Sequence, residues 1–231
     1  MEQIQIEGVE INIIQKKIKN IHLRVYPPSG EVRLSVPKRM TLSEIKTFII
    51  LRLSWIRDKQ NKIRDRKITM PLKYLDGEEH YFFGKKYILK IFEKKSAPLI
   101  FIRDGIIELH IKKRSSFEQR KKIISEWQRR EMKNLIPQYI AALEIKMKVK
   151  VHDFGIKKMK TRWGTCNIRA KRIWLNLELA KRPIACLEYI IVHEMAHLLE
   201  RSHNKKFIAH MDHFLPNWRE IKKILTLSSS M

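Results

Sequence analysis

Apolar and polar side chains alternate along residues 21–26 and again along 32–36, on either side of Pro27-Pro28-Ser29-Gly30. A period of two flanking a proline- and glycine-containing turn predicts a β-hairpin. After Pro37 the period lengthens. Thr41-Leu42-Ser43-Glu44 has the spacing of a capping box, and Ile45, Phe48, Ile49, Leu53 and Ile56 then recur on one helical face. Asp76-Gly77 and Asp104-Gly105 punctuate a second run of strands, expected at 80–83, 87–92, 99–103 and 106–111. From Lys112 the pattern turns helical. Ser115-Ser116-Phe117-Glu118 offers a second capping box, and Phe117, Ile124, Trp127, Leu135, Ile136, Ile140 and Leu143 form one stripe. Short strands are expected at 148–151, 158–162 and 172–177. Pro183 fits the first turn of a further helix, where its missing donor costs nothing. Helices at 205–211 and 218–225 and a frayed serine tail complete the pattern. These elements predict an α+β fold: an N-terminal β-hairpin-rich region with one helix (1–115), then a compact domain over 116–231. No internal repeat stands out.

Composition narrows the setting. No stretch approaches the ~18 uncharged apolar residues of a membrane span, so no membrane partner is expected. The acidic residues in the first ten positions predict no export signal. Cys166 and Cys186 are too few for a disulfide framework and read as reduced thiols, which points to the cytoplasm. The net charge of +25 favours polyanions such as nucleic acid. Between Ile145 and Arg172 ten lysines and arginines face a single acid, Asp153, and a second cluster runs through Lys112-Lys113-Arg114, Arg120-Lys121-Lys122 and Arg129-Arg130. This basic surface is expected either to take non-specific nucleic acid through phosphate contacts or to be an ordinary solvated face.

The chemistry concentrates in His193-Glu194-Met195-Ala196-His197. Residues four apart stand one above the other on a helix, so His193 and His197 can present two imidazole nitrogens to one zinc ion. Glu194, beside the first ligand, can accept the proton of a zinc-bound water and pass it to a leaving amine. A catalytic zinc needs a third protein ligand and one open position. His203 lies six residues beyond His197, the interval of the metzincin pattern, although that pattern has glycine where Glu200 stands here. His210 and His213, with Asp212 between them, are the other candidates for a ligand or a ligand's partner. The apolar flanks Tyr189-Ile190-Ile191-Val192 and Leu198-Leu199 bury this helix, and buried histidine and glutamate need partners.

Taken together, Lys160-Thr161-Arg162-Trp163-Gly164-Thr165-Cys166-Asn167, then Arg172-Ile173-Trp174-Leu175-Asn176, Pro183 and the histidine helix resemble the YgjP-like family of metal-dependent hydrolases, relatives of SprT-like and other compact zincin peptidases. Trp55-Ile56 and Gly84-Lys85-Lys86-Tyr87 extend the likeness into the N-terminal half. The resemblance implies a zincin-like domain with a small sheet packed on the active-site helix. It also implies Zn2+ on His193, His197 and His203, with Glu194 as catalytic base. Ser202, Asn204 and Ile208 depart from the family's usual residues around the third histidine. The expected function is a zinc metallopeptidase acting on a protein or peptide, in the SprT-like manner on nucleic-acid-associated proteins. The substrate would be held by strand addition at an edge near 172–177 or Trp163-Gly164. The competing function is a nucleic-acid-binding protein with a structural zinc, closed by four protein ligands and with no use for Glu194.

Overall fold

A computed structural model describes residues 2–64, 72–95 and 97–228 of the chain; the last serines of the expected tail, from 229, lie outside them. The described residues form an α+β protein with six helices and three small mixed sheets. The chain divides into two compact units near residue 70. The switch from strands to helices at 115 falls inside the second unit, because the strands before it and the helix after it share one core.

The first unit begins with β1 (Glu2–Ile6), β2 (Val9–Lys16), β3 (His22–Tyr26) and β4 (Glu31–Pro37). Their order is β1-β2-β4-β3, with a parallel pair at the centre and antiparallel pairs outside. Ile11, Ile13, Val32, Leu34 and Val36 alternate onto the covered face and are all but fully buried. In place of the single expected helix there are two, α1 (Leu42–Ile50) and α2 (Leu53–Arg64). Thr41 and Glu44 close the capping box as expected. Ile45, Ile49, Leu53 and Ile56 still fall on one buried face across the break, each worth about 1.5–3 kcal/mol of burial.

The second unit opens with β5 (Glu79–Phe82), β6 (Lys85–Glu93), β7 (Leu99–Arg103) and β8 (Ile106–Ile111) in the order β5-β6-β8-β7, and the long helix α3 (Phe117–Met147) follows. This is the first unit's arrangement a second time. Again a parallel pair, β6–β8, lies between two antiparallel ones. Again the next helix starts at a capping box, here Ser116 with Gln119, one residue later than expected. The expectation of no internal repeat is therefore corrected. The two copies share hydrophobic period and turn positions while sharing little residue identity, so only topology reveals them.

The rest of the second unit builds the site. β9 (Asp153–Lys157), β10 (Gly164–Asn167) and β11 (Arg172–Asn176) form a sheet in the order β10-β11-β9. A 3-10 turn at Leu177–Lys181 leads into α4 (Ile184–Ala196), with Pro183 at its N-cap rather than inside its first turn. α5 (Lys205–Phe214) and α6 (Trp218–Ser228) pack on α4. The expected strands at 148–151 and 158–162 are displaced to 153–157 and 164–167. Lys148 takes a left-handed conformation that ends α3 and delays β9. No helix among the described residues is long and apolar enough to cross a membrane.

Candidate metal centre

α4 is apolar almost all round. Cys186, Leu187, Ile190, Ile191, Val192, Met195 and Ala196 are all buried, which fixes its position between β10, α3 and α6. His193 and His197 stand one turn apart on the side left open, with ring centroids 5.1 Å from each other. The helix ends at His197 in the right-handed region, and short-range bonds from Leu198 to Met195 and from Leu199 and Glu200 to Ala196 tighten its last turn. None of residues 198–203 has positive φ, so the absence of glycine at 200 is immaterial. Glu200 accepts the Ser202 amide at 3.1 Å, Asn204 caps α5, and His203 swings back over the helix end between them.

The result is one ligand atom from each of His193, His197 and His203, all within 4.8 Å of one another. The Nε2 atoms of His193 and His203 are 3.0 Å apart. Two neutral rings so placed set lone pairs against each other unless a proton or a cation lies between them. Burial first, then the neighbouring His197 and His203, push the His193 imidazole down to about 3. Burial also lowers His197. Both rings are thus neutral at physiological pH, as metal ligands must be. His197 donates Nδ1–H to the Glu200 carbonyl at 3.3 Å, which leaves Nε2 as the free donor atom. The donor set therefore fits a metal ion.

Glu194 lies on the same turn, 5% exposed, and burial raises its carboxyl to about 8 against the opposing pull of Arg162. Directly over it runs β10. A Cβ on Gly164 would meet Glu194 Oε1 at 2.5 Å and Ile190 Cγ2 at 2.8 Å, so only glycine lets the strand approach the carboxylate this closely. β10 is an edge strand, and among the described residues no backbone partner beyond β11 takes its outward groups. β11, the alternative edge expected from sequence, is central, with β10 and β9 paired on its two sides. The basic stretch also reaches the site's border. Lys148, Lys150 and Lys171 line a cavity of about 490 Å³ with Ile168, which follows β10, and Leu198, which follows His197.

His210, His213 and Asp212 are not brought to the cluster. His210 and His213 pack on Phe214, while Asp212 accepts from the Trp218 indole at 2.8 Å and from Arg219. Two contacts that the sequence does not reveal matter here. The Phe207 ring touches all three imidazoles, with centroids 5.0, 4.8 and 4.7 Å from His193, His197 and His203. Gly164 is expected from sequence only as part of a candidate substrate edge with Trp163, although a glycine inside a strand is itself a signal of close backbone approach. Cys166 and Cys186 are free.

A small sheet lying over a helix that carries His-Glu-x-x-His, with a third histidine returning past the helix end, defines a zincin-like domain. The chain belongs to the YgjP-like family: that family's metallopeptidase-domain model matches residues 19–227, which takes in the described second unit almost whole and the first unit from β3 onward. A search of the curated proteins finds no matching relative.

Proposed function

We propose that this is a zinc metallopeptidase in which His193, His197 and His203 hold the ion and Glu194 is the general base. The observation that carries the reading is the convergence of three imidazoles beside a buried carboxyl under a free strand edge. Bound zinc would supply Lewis acidity toward a carbonyl oxygen and toward water. The protein's own part is positional. An extended peptide adds to β10 by main-chain hydrogen bonds, which brings one of its carbonyls over Glu194 beside Gly164. Glu194 takes the proton of the attacking water and returns it to the departing amine. Lys148 and Lys171 at the adjoining cavity favour acidic substrates, proteins held on nucleic acid among them.

Metal analysis of the purified protein with a peptidase assay tests this. One zinc per chain is expected in the wild type and in Glu194→Gln, with turnover in the variant lower by about 10²–10⁴. His203→Ala should lose the ion. Full turnover by Glu194→Gln would sink the general-base role. A closed structural site needs four protein ligands, and among the described residues only three donors converge.

A further inference from the structure

The sheet β5-β6-β8-β7 has one face in the core, through Leu89, Ile107, Leu109 and Ile111. Its other face carries Phe92 on β6, His110 on β8, and Leu99 and Phe101 on β7, because alternate residues share a side and Phe92 and Leu99 both pair with His110. Phe92 stacks on His110 with centroids 4.9 Å apart and planes at 15°. Phe101 meets the same ring edge-on at 5.6 Å. His110 is covered at 8% exposure, while Phe92 and Phe101 stay open at 40% and 51%. Two aromatic rings therefore stay exposed on this face, about 10 Å apart across the sheet.

The fold does not require this patch, and the molecule supplies its own control. In the first copy of the motif the corresponding face of the sheet carries Ile14, Ser35 and Arg24. His110 even costs the second copy something, since its Nδ1 is buried with no hydrogen-bond partner among the described residues. Cations bank up at the same end of the sheet. Lys90 shares the face, and Lys94, Lys95, Lys112, Lys113 and Arg114 follow the ends of β6 and β8, where the Lys94 amide bonds to the Ile111 carbonyl. All six are exposed, and among the described residues none of their side-chain charges is ion-paired within 4.0 Å, although the Arg114 amide donates to the Glu93 carboxylate at 3.4 Å.

The geometry points to a single-stranded nucleic-acid platform on this face: bases stack on Phe92 and Phe101, and the cationic bank follows the phosphates. Stacking tolerates any base, and the cations read charge alone, so binding is largely independent of sequence. Duplex DNA, with its bases inside, cannot use the two rings. The inference stands apart from the metal centre and does not rest on the peptidase reading.

Fluorescence anisotropy of the full chain with labelled 12-nucleotide oligo(dT) tests it, with a duplex of equal length and poly-glutamate as competitors. The wild type should prefer the single strand. Phe92→Ala with Phe101→Ala should weaken binding about tenfold or more while the salt slope is kept, and Phe92→Tyr with Phe101→Tyr should retain it. Equal affinity of the alanine variant and the wild type would overturn the proposal. So would equal affinity for the duplex, or displacement by poly-glutamate as effective as by oligonucleotide, which would mark a site for acidic proteins. Peptide hydrolysis measured on the same samples reports on the metal centre alone, so the two readings fail separately.

Discussion

A methyl group at position 164 would sit 2.5 Å from a Glu194 oxygen and 2.7 Å from Glu194 Cγ. Neither atom can retreat far, since Glu194 is buried among the apolar residues of α4. Gly164→Ala should therefore displace the carboxyl or lift β10 from the helix. The expected outcome is a fall in kcat/KM of at least about tenfold, the size of effect a misplaced catalytic group produces, with zinc content unchanged because no ligand moves. Loss of metal in this variant would mean that β10 supports the histidines rather than the carboxyl. The grouping of His193, Glu194 and His197 was legible in the sequence because helical spacing alone sets them on neighbouring turns of one helix. Phe207 was not. Its contact with three rings depends on the path of 198–204, a turn whose residues all keep negative φ and which has no glycine to announce it.

The element that aims the strand is a turn tied by one side chain. Asn176, 4% exposed at the end of β11, donates Nδ2 to the carbonyls of Met159 and Arg162 and accepts at Oδ1 from the amides of Met159 and Glu178. The segment it holds is the one that delivers Trp163 and Gly164 to the site. Asn176→Ala leaves buried backbone groups unpaired, a cost of about 3 kcal/mol, and thermal denaturation should show it as a lower Tm. Because the substrate edge is loosened while the ligands stay, KM should rise more than kcat falls; an unchanged KM would contradict the role of β10 in binding. Glu178, just beyond, gives the pH dependence. Burial pushes its carboxyl up, but Lys181 at 2.7 Å and Lys158 at 3.5 Å outweigh that and hold it below its ordinary value. A carboxyl held low in the folded state adds stability above its unfolded pKa of about 4.5 and gives it up as pH falls through the folded value. Glu178→Gln should therefore flatten the acid limb of a Tm–pH profile below about pH 5. The strands β9 and β10 were misplaced by sequence because residues 148–162 alternate in several registers, and the choice among them is made by the left-handed Lys148 and the grip of Asn176.

Whole-molecule features were the least legible. The hairpin pattern before 115 suggested a separate domain, yet Tyr74, Phe82, Leu89 and Leu109 pack into the same core as Trp127, Leu187 and Ile191. Hydrophobic period finds strands and helices; it does not say which sheet face meets which helix, and the repeated topology of the two units stayed hidden for the same reason. All three clustered histidines come from the last stretches of this large core. His193 lies on α4 and His203 on the return toward α5, so an ion bound between them cross-links two elements that otherwise meet through Phe207 and their other packing contacts. An ion bound to the folded state alone stabilises it by RT ln(1 + [L]/Kd), about 2.7–4.1 kcal/mol at a hundred to a thousand times Kd. For a chain of this size each kcal/mol moves Tm by about 2–4 °C. Chelation of the zinc-loaded protein should then lower Tm by about 5–15 °C, and added zinc should restore it. His203→Ala, left with two imidazoles, should begin near the chelated value and respond little to either treatment. Equal chelator shifts in the variant and the wild type would place the ion elsewhere, and no shift in the wild type would remove the cross-link on which the proposed chemistry depends.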